Sequence, residues 1–192
     1  MAETGQLRVG IVMGSRSDMA AGEKAQAVLA ELGVGSEIRV ISAHRAPALL
    51  TSWAEGVEER GIRVLIAIAG LAAHLPGVLA AQTHVPVVGV PMPGGVADGL
   101  DALLAIVQMP KGVPVATVGV GNAENAALLA AEILAIADPQ LRERVLARRA
   151  AQTQAILDDP TNATSTEPSA ETTSEASTDI IDPSPHLASA RS

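Results

Sequence analysis

The segment SAHR places an imidazole next to a permanent cation, at His44 and Arg45. An imidazole exchanges a proton near neutral pH, and a guanidinium can grip a phosphate or a carboxylate through two parallel hydrogen bonds. The pair could therefore carry out acid–base chemistry on a small anionic molecule. The alternative is a surface pair without a role. Because no second histidine or acidic residue stands at metal-ligand spacing nearby, we predict no metal site.

A second polar segment, GSRSD, occupies residues 14–18. Gly14 suits a tight turn, and the helix predicted to follow would offer free backbone amides to an anion. We therefore expect a phosphate near Ser15 or Ser17 and a sugar hydroxyl donating to Asp18. Ser17 or Asp18 could instead only cap that helix, and the spacing leaves both interpretations open. The segment is neither a Walker A loop nor a GxGxxG motif.

The other histidines and the tryptophan carry weaker signals. His74 stands in an apolar setting, LAAHLPG, where it could equally contact a ligand or act as a hydrogen-bonded structural residue. His84 and His186 have no supporting context, and we assign them no role. Trp53 falls within a helical pattern, so we predict that it lies in the core or in an interface rather than in a stacking platform.

Five short runs rich in β-branched residues alternate with helical patterns, which predicts a parallel α/β sheet. Ligands of open parallel sheets lie beyond the carboxyl ends of the strands. Polar loops follow the first three runs, so we predict that GSRSD, SAHR and the loop that contains His74 meet at one edge. The runs occupy residues 7–13, 36–42, 63–69, 85–90 and 113–120.

The helices are predicted from the spacing of their apolar residues and from the residues at their ends. The first carries one apolar face and stops at Gly33, a residue type that commonly follows a helix. The second begins with Pro47 and is predicted to run to Gly61. An Ala-rich helix at 123–137 and a more polar helix at about 139–156 follow.

The composition limits the possible functions. The 192 residues include no Cys, Tyr or Phe and a single Trp, yet 48% are hydrophobic, which predicts one domain with an aliphatic core. The lack of cysteine excludes thiol, disulfide and Cys–metal chemistry. A net charge of −8 and almost no aromatic residues argue against nucleic-acid and anionic-membrane partners, so we expect a small-molecule ligand. With no apolar leader or membrane-length run, we expect a cytoplasmic protein.

Residues 158–192 differ from the rest of the chain. They hold seven acidic residues and one basic residue among many Ser, Thr, Ala and Pro. Because such a segment buries too little apolar surface to offset its ordering entropy, we predict a disordered tail after a catalytic domain at residues 1–157. The alternative is a short linear motif around Ile180 and Ile181.

The aliphatic core also bears on assembly. A core without Phe and Tyr buries less apolar area per side chain. The segment 99–110 and the Ala-rich helix at 123–137 carry more small apolar residues than a five-stranded sheet readily covers. We therefore expect both segments to contribute to contacts between copies of the chain.

Six longer motifs occur in a fixed order along residues 7–156: VGIVMGSRSD, VISAHRAP, AAHLPGVLAA, PVVGVP, GLDALLAIVQMPKGVPVATVGVG and NAALLAAEIL. With these motifs the chain resembles the PurE family, the N5-carboxyaminoimidazole ribonucleotide mutases of purine biosynthesis. The resemblance implies a three-layer, flavodoxin-like α/β fold assembled as a homo-octamer. It also implies transfer of a carboxyl group from an exocyclic nitrogen to ring carbon 4, with no metal, nucleotide or organic cofactor.

The resemblance implies a role for each matching residue of the three loops. His44 would be the general acid–base, because decarboxylation followed by recapture of CO2 at carbon 4 needs a proton delivered and then removed. Three residues would bind the ribose 5-phosphate part of the substrate: Ser15, Asp18 and Arg45. Three more would line the pocket: Ser42, Gly70 and His74.

The chain departs from the family pattern in two places, and two other functions stay open. Ile68 and Leu71 stand where glycines are usual, and Leu71 is expected to narrow the pocket. The loop MPGG at residues 92–95 replaces a polar stretch. One alternative is a related carboxylase that adds free CO2 to aminoimidazole ribonucleotide. The other is a non-catalytic nucleotide-phosphate binding module, against which His44 argues because a binder needs no proton shuttle.

Overall fold

A computed structural model of the chain describes residues 6–162. Its strands are β1 (Leu7–Met13), β2 (Gly35–Val40), β3 (Val64–Ala69), β4 (Val87–Pro91) and β5 (Ala116–Thr117). All neighbouring strands are parallel and form one sheet in the order β2-β1-β3-β4-β5. This is the flavodoxin-like order: β2 lies on one side of β1, and β3, β4 and β5 follow on the other side, so the strand order reverses between β1 and β3. The predicted fold class is confirmed.

Helices cover both faces of the sheet. They are α1 (Met19–Glu31), α2 (Pro47–Glu55), α3 (Leu75–Ala80), α4 (Leu100–Val107), α5 (Ala123–Ala135) and α6 (Pro139–Leu157). On one face, α1 and α5 share an apolar cluster with the sheet, and α6 adds Leu141. On the other face, α2, α3 and α4 share a second cluster that contains Trp53. The prediction that Trp53 is a core residue is confirmed, because only 8% of it is exposed.

The central strand β3 shows why the sequence folds into three layers. All six of its residues, VLIAIA, are buried. Alternate side chains enter the two clusters, since Ile66 and Ile68 face α1 and α5 while Leu65 and Ala67 face the other helices. A strand covered on both faces is a continuous apolar run rather than an alternating one.

Three element predictions need correction. Helix α2 ends at Glu55 rather than Gly61, because Gly56 takes the C-cap position and turns follow it. The fifth strand pairs only at Ala116–Thr117 rather than over 113–120. It lies at the edge of the sheet, and Pro114 has no amide with which to extend the pairing. Helices α3 and α4 are missing from the sequence prediction.

The small residues on which the interface expectation for the Ala-rich helix rests, the alanines of α5, are buried within the subunit. The alanines of α5 pack inside their own subunit, in the cluster shared with α1 and the sheet. Small side chains allow two helices to approach closely, and here they serve a helix pair within one chain. The segment 99–110 behaves differently, since α4 leaves Leu100, Leu104 and Val107 about half exposed.

The described part of the chain extends five residues beyond the predicted domain boundary at residue 157. Asp158 caps α6, and Pro160–Asn162 form a short, exposed 3₁₀ turn. The remainder of the predicted tail, residues 163–192, lies outside the described residues, as do Ile180, Ile181 and His186. No helix within residues 6–162 is long and apolar enough to cross a membrane.

Candidate active site

A pocket of about 330 Å³ opens where the strand order reverses, beyond the carboxyl ends of β1, β2 and β3. The three polar loops meet here, as the sequence predicts. The lining residues are Gly14, Ser15, Asp18, Ser42, Ala43, His44, Arg45, Ala69, Gly70, Leu71, Ala72 and Leu75. Of the seven predicted site residues, only His74 is outside this lining, and it contacts the pocket through His44. The volume suits a small phosphorylated molecule.

A wider cleft of about 670 Å³ lies at the opposite edge of the sheet, next to the start of β1. Its charged groups are already paired with other groups of the protein. Arg8 Nη1 donates to Asp138 Oδ2 at 2.6 Å, and Arg63 Nη1 donates to the carbonyl of Glu58 at 3.1 Å. No histidine lines this cleft, whereas His44 lines the smaller pocket. The smaller pocket is therefore the candidate active site.

The two histidines of the loops form a hydrogen-bonded pair. His44 Nε2 and His74 Nδ1 lie 2.9 Å apart, and the rings stand nearly perpendicular, at 87°. One of these nitrogens must donate and the other accept, so the protonation of one ring fixes the tautomer of the other. His74 thereby orients His44 and leaves His44 Nδ1 as a second site of proton exchange. The sequence could not show this pair, because 30 residues separate its members.

Arg45 connects two of the loops. Its Nη2 donates to the carbonyl of Gly14 at 2.9 Å, and its Nε donates to Ser42 Oγ at 3.3 Å. The Ser42 hydroxyl also accepts the backbone amide of Arg45, at 3.2 Å. Two of the five guanidinium N–H groups are thus used, and three remain for a ligand. Within residues 6–162 Arg45 forms no ion pair, which leaves its charge available to an anion.

In the GSRSD loop, Ser15 and Asp18 differ in whether their side chains cap a helix. Ser15 Oγ accepts the amide of Ser17 at 3.2 Å and caps a 3₁₀ turn at Arg16–Asp18. Asp18 precedes α1 but its side chain makes no capping hydrogen bond. Among residues 6–162, the one group that donates to its carboxylate is the Ser17 hydroxyl, at 3.2 Å. The capping alternative therefore fails for Asp18, which lines the pocket, and the side chain that does cap is that of Ser15, for which the sequence predicted a phosphate nearby and no cap.

Burial raises the pKa of the Asp18 carboxyl above its ordinary value of 3.8, although the Ser17 hydroxyl acts in the opposite direction. The folded state then holds this proton more tightly than the unfolded state. The free energy of unfolding therefore falls as the pH rises from the ordinary pKa of Asp18 to the raised one, and this loss stays constant at higher pH. Such a cost is typical of a group kept for binding rather than for stability.

We expect Asp18→Asn to raise the free energy of unfolding, by an amount that grows as the pH rises from about 4 and becomes constant above the raised pKa. Urea denaturation across this range measures the gain. Asp138→Asn is the contrast variant, because the Leu141 amide and Arg8 lower the pKa of Asp138. That variant should lose stability at neutral pH and approach wild type as the pH falls. A gain for Asp18→Asn that shrinks with rising pH would contradict this account.

The structure separates the two glycine replacements at the end of β3. Ile68 is fully buried in the cluster with α1 and α5, and it does not line the pocket. Leu71 does line the pocket, with 61% of it exposed and a φ of +55°. That conformation favours glycine. Leu71 also lies against the second unusual segment, since an ideal Cβ on Gly95 would be 2.8 Å from Leu71 Cδ2.

The family model described as AIR carboxylase matches residues 8–155, which include every candidate site residue. The chain belongs to the AIR carboxylase family. Within this family, it is 58% identical over 140 residues to a Mycobacterium tuberculosis protein called N5-carboxyaminoimidazole ribonucleotide mutase. That alignment covers 73% of this chain and 80% of the relative.

Other AIR carboxylase family members agree. A Pseudomonas aeruginosa protein, also called N5-carboxyaminoimidazole ribonucleotide mutase, is 51% identical over 154 residues, 79% of this chain and 94% of the relative. The crystal structure of Treponema denticola PurE superimposes with a TM-score of 0.75 at 30% identity. The superposition covers 82% of this chain and 99% of the Treponema denticola chain. Family and fold thus agree with the resemblance seen in the motifs.

Proposed function

We propose that this protein is an N5-carboxyaminoimidazole ribonucleotide mutase of purine biosynthesis, an isomerase that gives 4-carboxy-5-aminoimidazole ribonucleotide. The observation that carries the proposal is the pocket in which a histidine pair adjoins Arg45 and Asp18. Such a pocket combines one proton-exchanging group with groups for a phosphorylated sugar. The relatives at 51% to 58% identity, all called mutases, agree with this combination.

In this proposal each loop binds one part of the substrate. Arg45 grips the 5-phosphate with its remaining N–H groups, and Ser15 lies beside it. Asp18 accepts a hydrogen bond from a ribose hydroxyl. The imidazole ring then lies between His44 and the segment from Gly70 to Leu75, with Ser42 at the edge of the pocket.

The reaction balances without an oxidant, a reductant or a cofactor. Protonated His44 gives its proton to N5, the N5–carboxylate bond breaks with its electron pair on nitrogen, and CO2 is released within the pocket. Carbon 4 then attacks CO2 with an electron pair of the enamine-like ring. His44 finally removes the proton from carbon 4 and returns to its starting state. One imidazole can do both steps if it stays in contact with both atoms.

The carboxylase alternative shares the fold and the pocket, and the family description itself names a carboxylase. The relatives at 51% to 58% identity are all called mutases, which favours transfer from N5 over capture of free CO2. The binding-module alternative does not account for the His44–His74 pair, since binding a phosphate needs no proton exchange.

Incubation with synthetic N5-carboxyaminoimidazole ribonucleotide tests the proposal. We expect conversion to the 4-carboxy isomer without ATP and without added bicarbonate. Turnover only of aminoimidazole ribonucleotide, with a strict need for bicarbonate, would instead identify the carboxylase. Binding of either compound with no turnover would identify the binding module.

We also propose that the protein is a cytoplasmic homo-octamer, the assembly that the PurE resemblance implies. Support comes from α4, where Leu100, Leu104 and Val107 are 45%, 42% and 50% exposed. Their i, i+4, i+7 spacing places them on one stripe of the helix. A contiguous apolar stripe of this kind is typical of a contact between subunits.

Static light scattering at micromolar concentration should give the mass of eight subunits, both for the full chain and for a chain that ends at Asn162. Leu104→Glu should reduce that mass, because it buries a charge in the proposed contact. Leu157→Glu is the matched control, since Leu157 is 66% exposed at the end of α6. A monomeric wild type, or an octamer that tolerates Leu104→Glu, would contradict the α4 contact.

A further inference from the structure

Leu71 combines three features that packing within the chain does not explain. It is 61% exposed, it lines the candidate pocket, and its φ of +55° is in the left-handed region. A side chain with a Cβ is strained there, whereas glycine is not. An exposed leucine regains little of that cost through burial. Strain that the fold does not repay is typical of a residue held for a ligand.

The neighbouring loop holds the Leu71 side chain in place. Gly95 has no side chain, and an ideal Cβ at this position would lie only 2.8 Å from Leu71 Cδ2. The Leu71 methyl group therefore occupies the space beside the Gly95 backbone. Two carboxylates order this loop, since Asp98 Oδ1 accepts the amide of Gly94 at 3.0 Å and Asp101 Oδ2 accepts the amide of Val96 at 3.3 Å. The Leu71 side chain thus packs against a loop whose conformation is fixed by hydrogen bonds.

The residues that line the pocket are of two chemically different kinds. Arg45, Asp18 and Ser15 supply the charged and polar groups. Leu71, Ala72 and Leu75 are apolar, and of the two leucines Leu71 is the exposed one. A ligand with an anionic sugar phosphate and a flat heteroaromatic ring matches this division, because the ring is the part that gains from apolar contact.

We infer that Leu71 is a substrate-contacting residue that sets affinity for the heteroaromatic ring. The inference rests on the proposed function for the identity of that ring. Leu71 packs its methyl groups against the ring face when substrate binds. The contact is the same before and during the reaction, so it contributes to binding rather than to the chemical step.

Two variants of the full chain separate the contact between Leu71 and the ring from the backbone strain at Leu71. Leu71→Ala removes the contact and keeps a Cβ in the strained conformation, whereas Leu71→Gly removes both. We expect each to raise the KM for N5-carboxyaminoimidazole ribonucleotide about 5-fold to 20-fold, with kcat changed less than about twofold. In urea denaturation Leu71→Gly should be more stable than Leu71→Ala. Leu157→Ala, at an exposed leucine that does not line the pocket, is the control.

Calorimetric binding of two probes makes the test independent of turnover. Aminoimidazole ribonucleotide carries the ring, and ribose 5-phosphate lacks it. We expect both Leu71 variants to weaken binding of the first probe about 5-fold to 20-fold and to leave the second unchanged. An unchanged or tighter Kd for aminoimidazole ribonucleotide, or equal weakening for both probes, would overturn the inference. Absence of turnover by wild type, with the difference between probes preserved, would overturn the mutase proposal alone.

Discussion

Replacement of His44 by asparagine is expected to lower kcat at least about a hundredfold, the lower range for a positioned acid–base group. An amide cannot take up and return a proton, so both the delivery to N5 and the removal from carbon 4 are lost. The residues proposed to bind ribose 5-phosphate, Ser15, Asp18 and Arg45, are unchanged in this variant. Binding of ribose 5-phosphate should therefore stay within about twofold of wild type. Steady-state kinetics and calorimetry measure the two effects separately.

The matched control is His84→Asn, which changes the same residue type outside the pocket. That variant should keep wild-type kcat and KM. Near-normal turnover by His44→Asn would remove His44 from the mechanism. Loss of ribose 5-phosphate binding by the same variant would show that His44 supports the pocket rather than the proton transfer.

The second large effect is expected at Arg45. Arg45→Ala should weaken inhibition by ribose 5-phosphate about 10-fold to 100-fold, the range of charge-assisted hydrogen bonds to a phosphate. The variant also loses the bonds to Gly14 and Ser42 that join two loops. Because the phosphate does not react, KM should rise more than kcat falls. Competition kinetics with ribose 5-phosphate give the affinity directly.

Two further variants test whether the paired N–H donors of Arg45, or only its charge, determine the affinity for ribose 5-phosphate. Arg45→Lys keeps the charge without the paired donors and should fall between wild type and Arg45→Ala. Arg149→Ala removes the same charge from α6, where Arg149 pairs with Glu132 at 2.8 Å, and should leave inhibition unchanged. Equal inhibition of wild type and Arg45→Ala would place the phosphate elsewhere.

The sheet and the position of the site could be predicted because they depend on local patterns and general topology. Apolar runs such as VLIAIA mark strands wherever helices cover both faces, and parallel strands bring the loops after them to one edge. The extent of β5 could not be predicted, since pairing at an edge depends on the neighbouring strand. The burial of the α5 alanines could not be predicted either, because it depends on packing against α1, and the residues of α5 do not show which helix lies beside them.

The contacts within the site were less predictable than its position. The hydrogen bond between His44 and His74 depends on two loops that meet only in the folded chain. The positive φ of Leu71 is set by the loop rather than by leucine, whose own preference is for other conformations. The one available signal was that an unusual leucine and an unusual Gly-Gly pair occur in the same chain, at residues that the fold places in contact.

The most direct test of the mutase proposal follows the carboxyl carbon itself. N5-carboxyaminoimidazole ribonucleotide with a ¹³C-labelled carboxyl group is incubated with the protein in excess unlabelled bicarbonate, and the product is analysed by mass spectrometry. Transfer within the pocket predicts that most of the 4-carboxy product retains ¹³C, because the CO2 formed from N5 is recaptured before it exchanges with solvent. A product that carries only unlabelled carbon would contradict the proposal and identify a carboxylase that draws CO2 from solution.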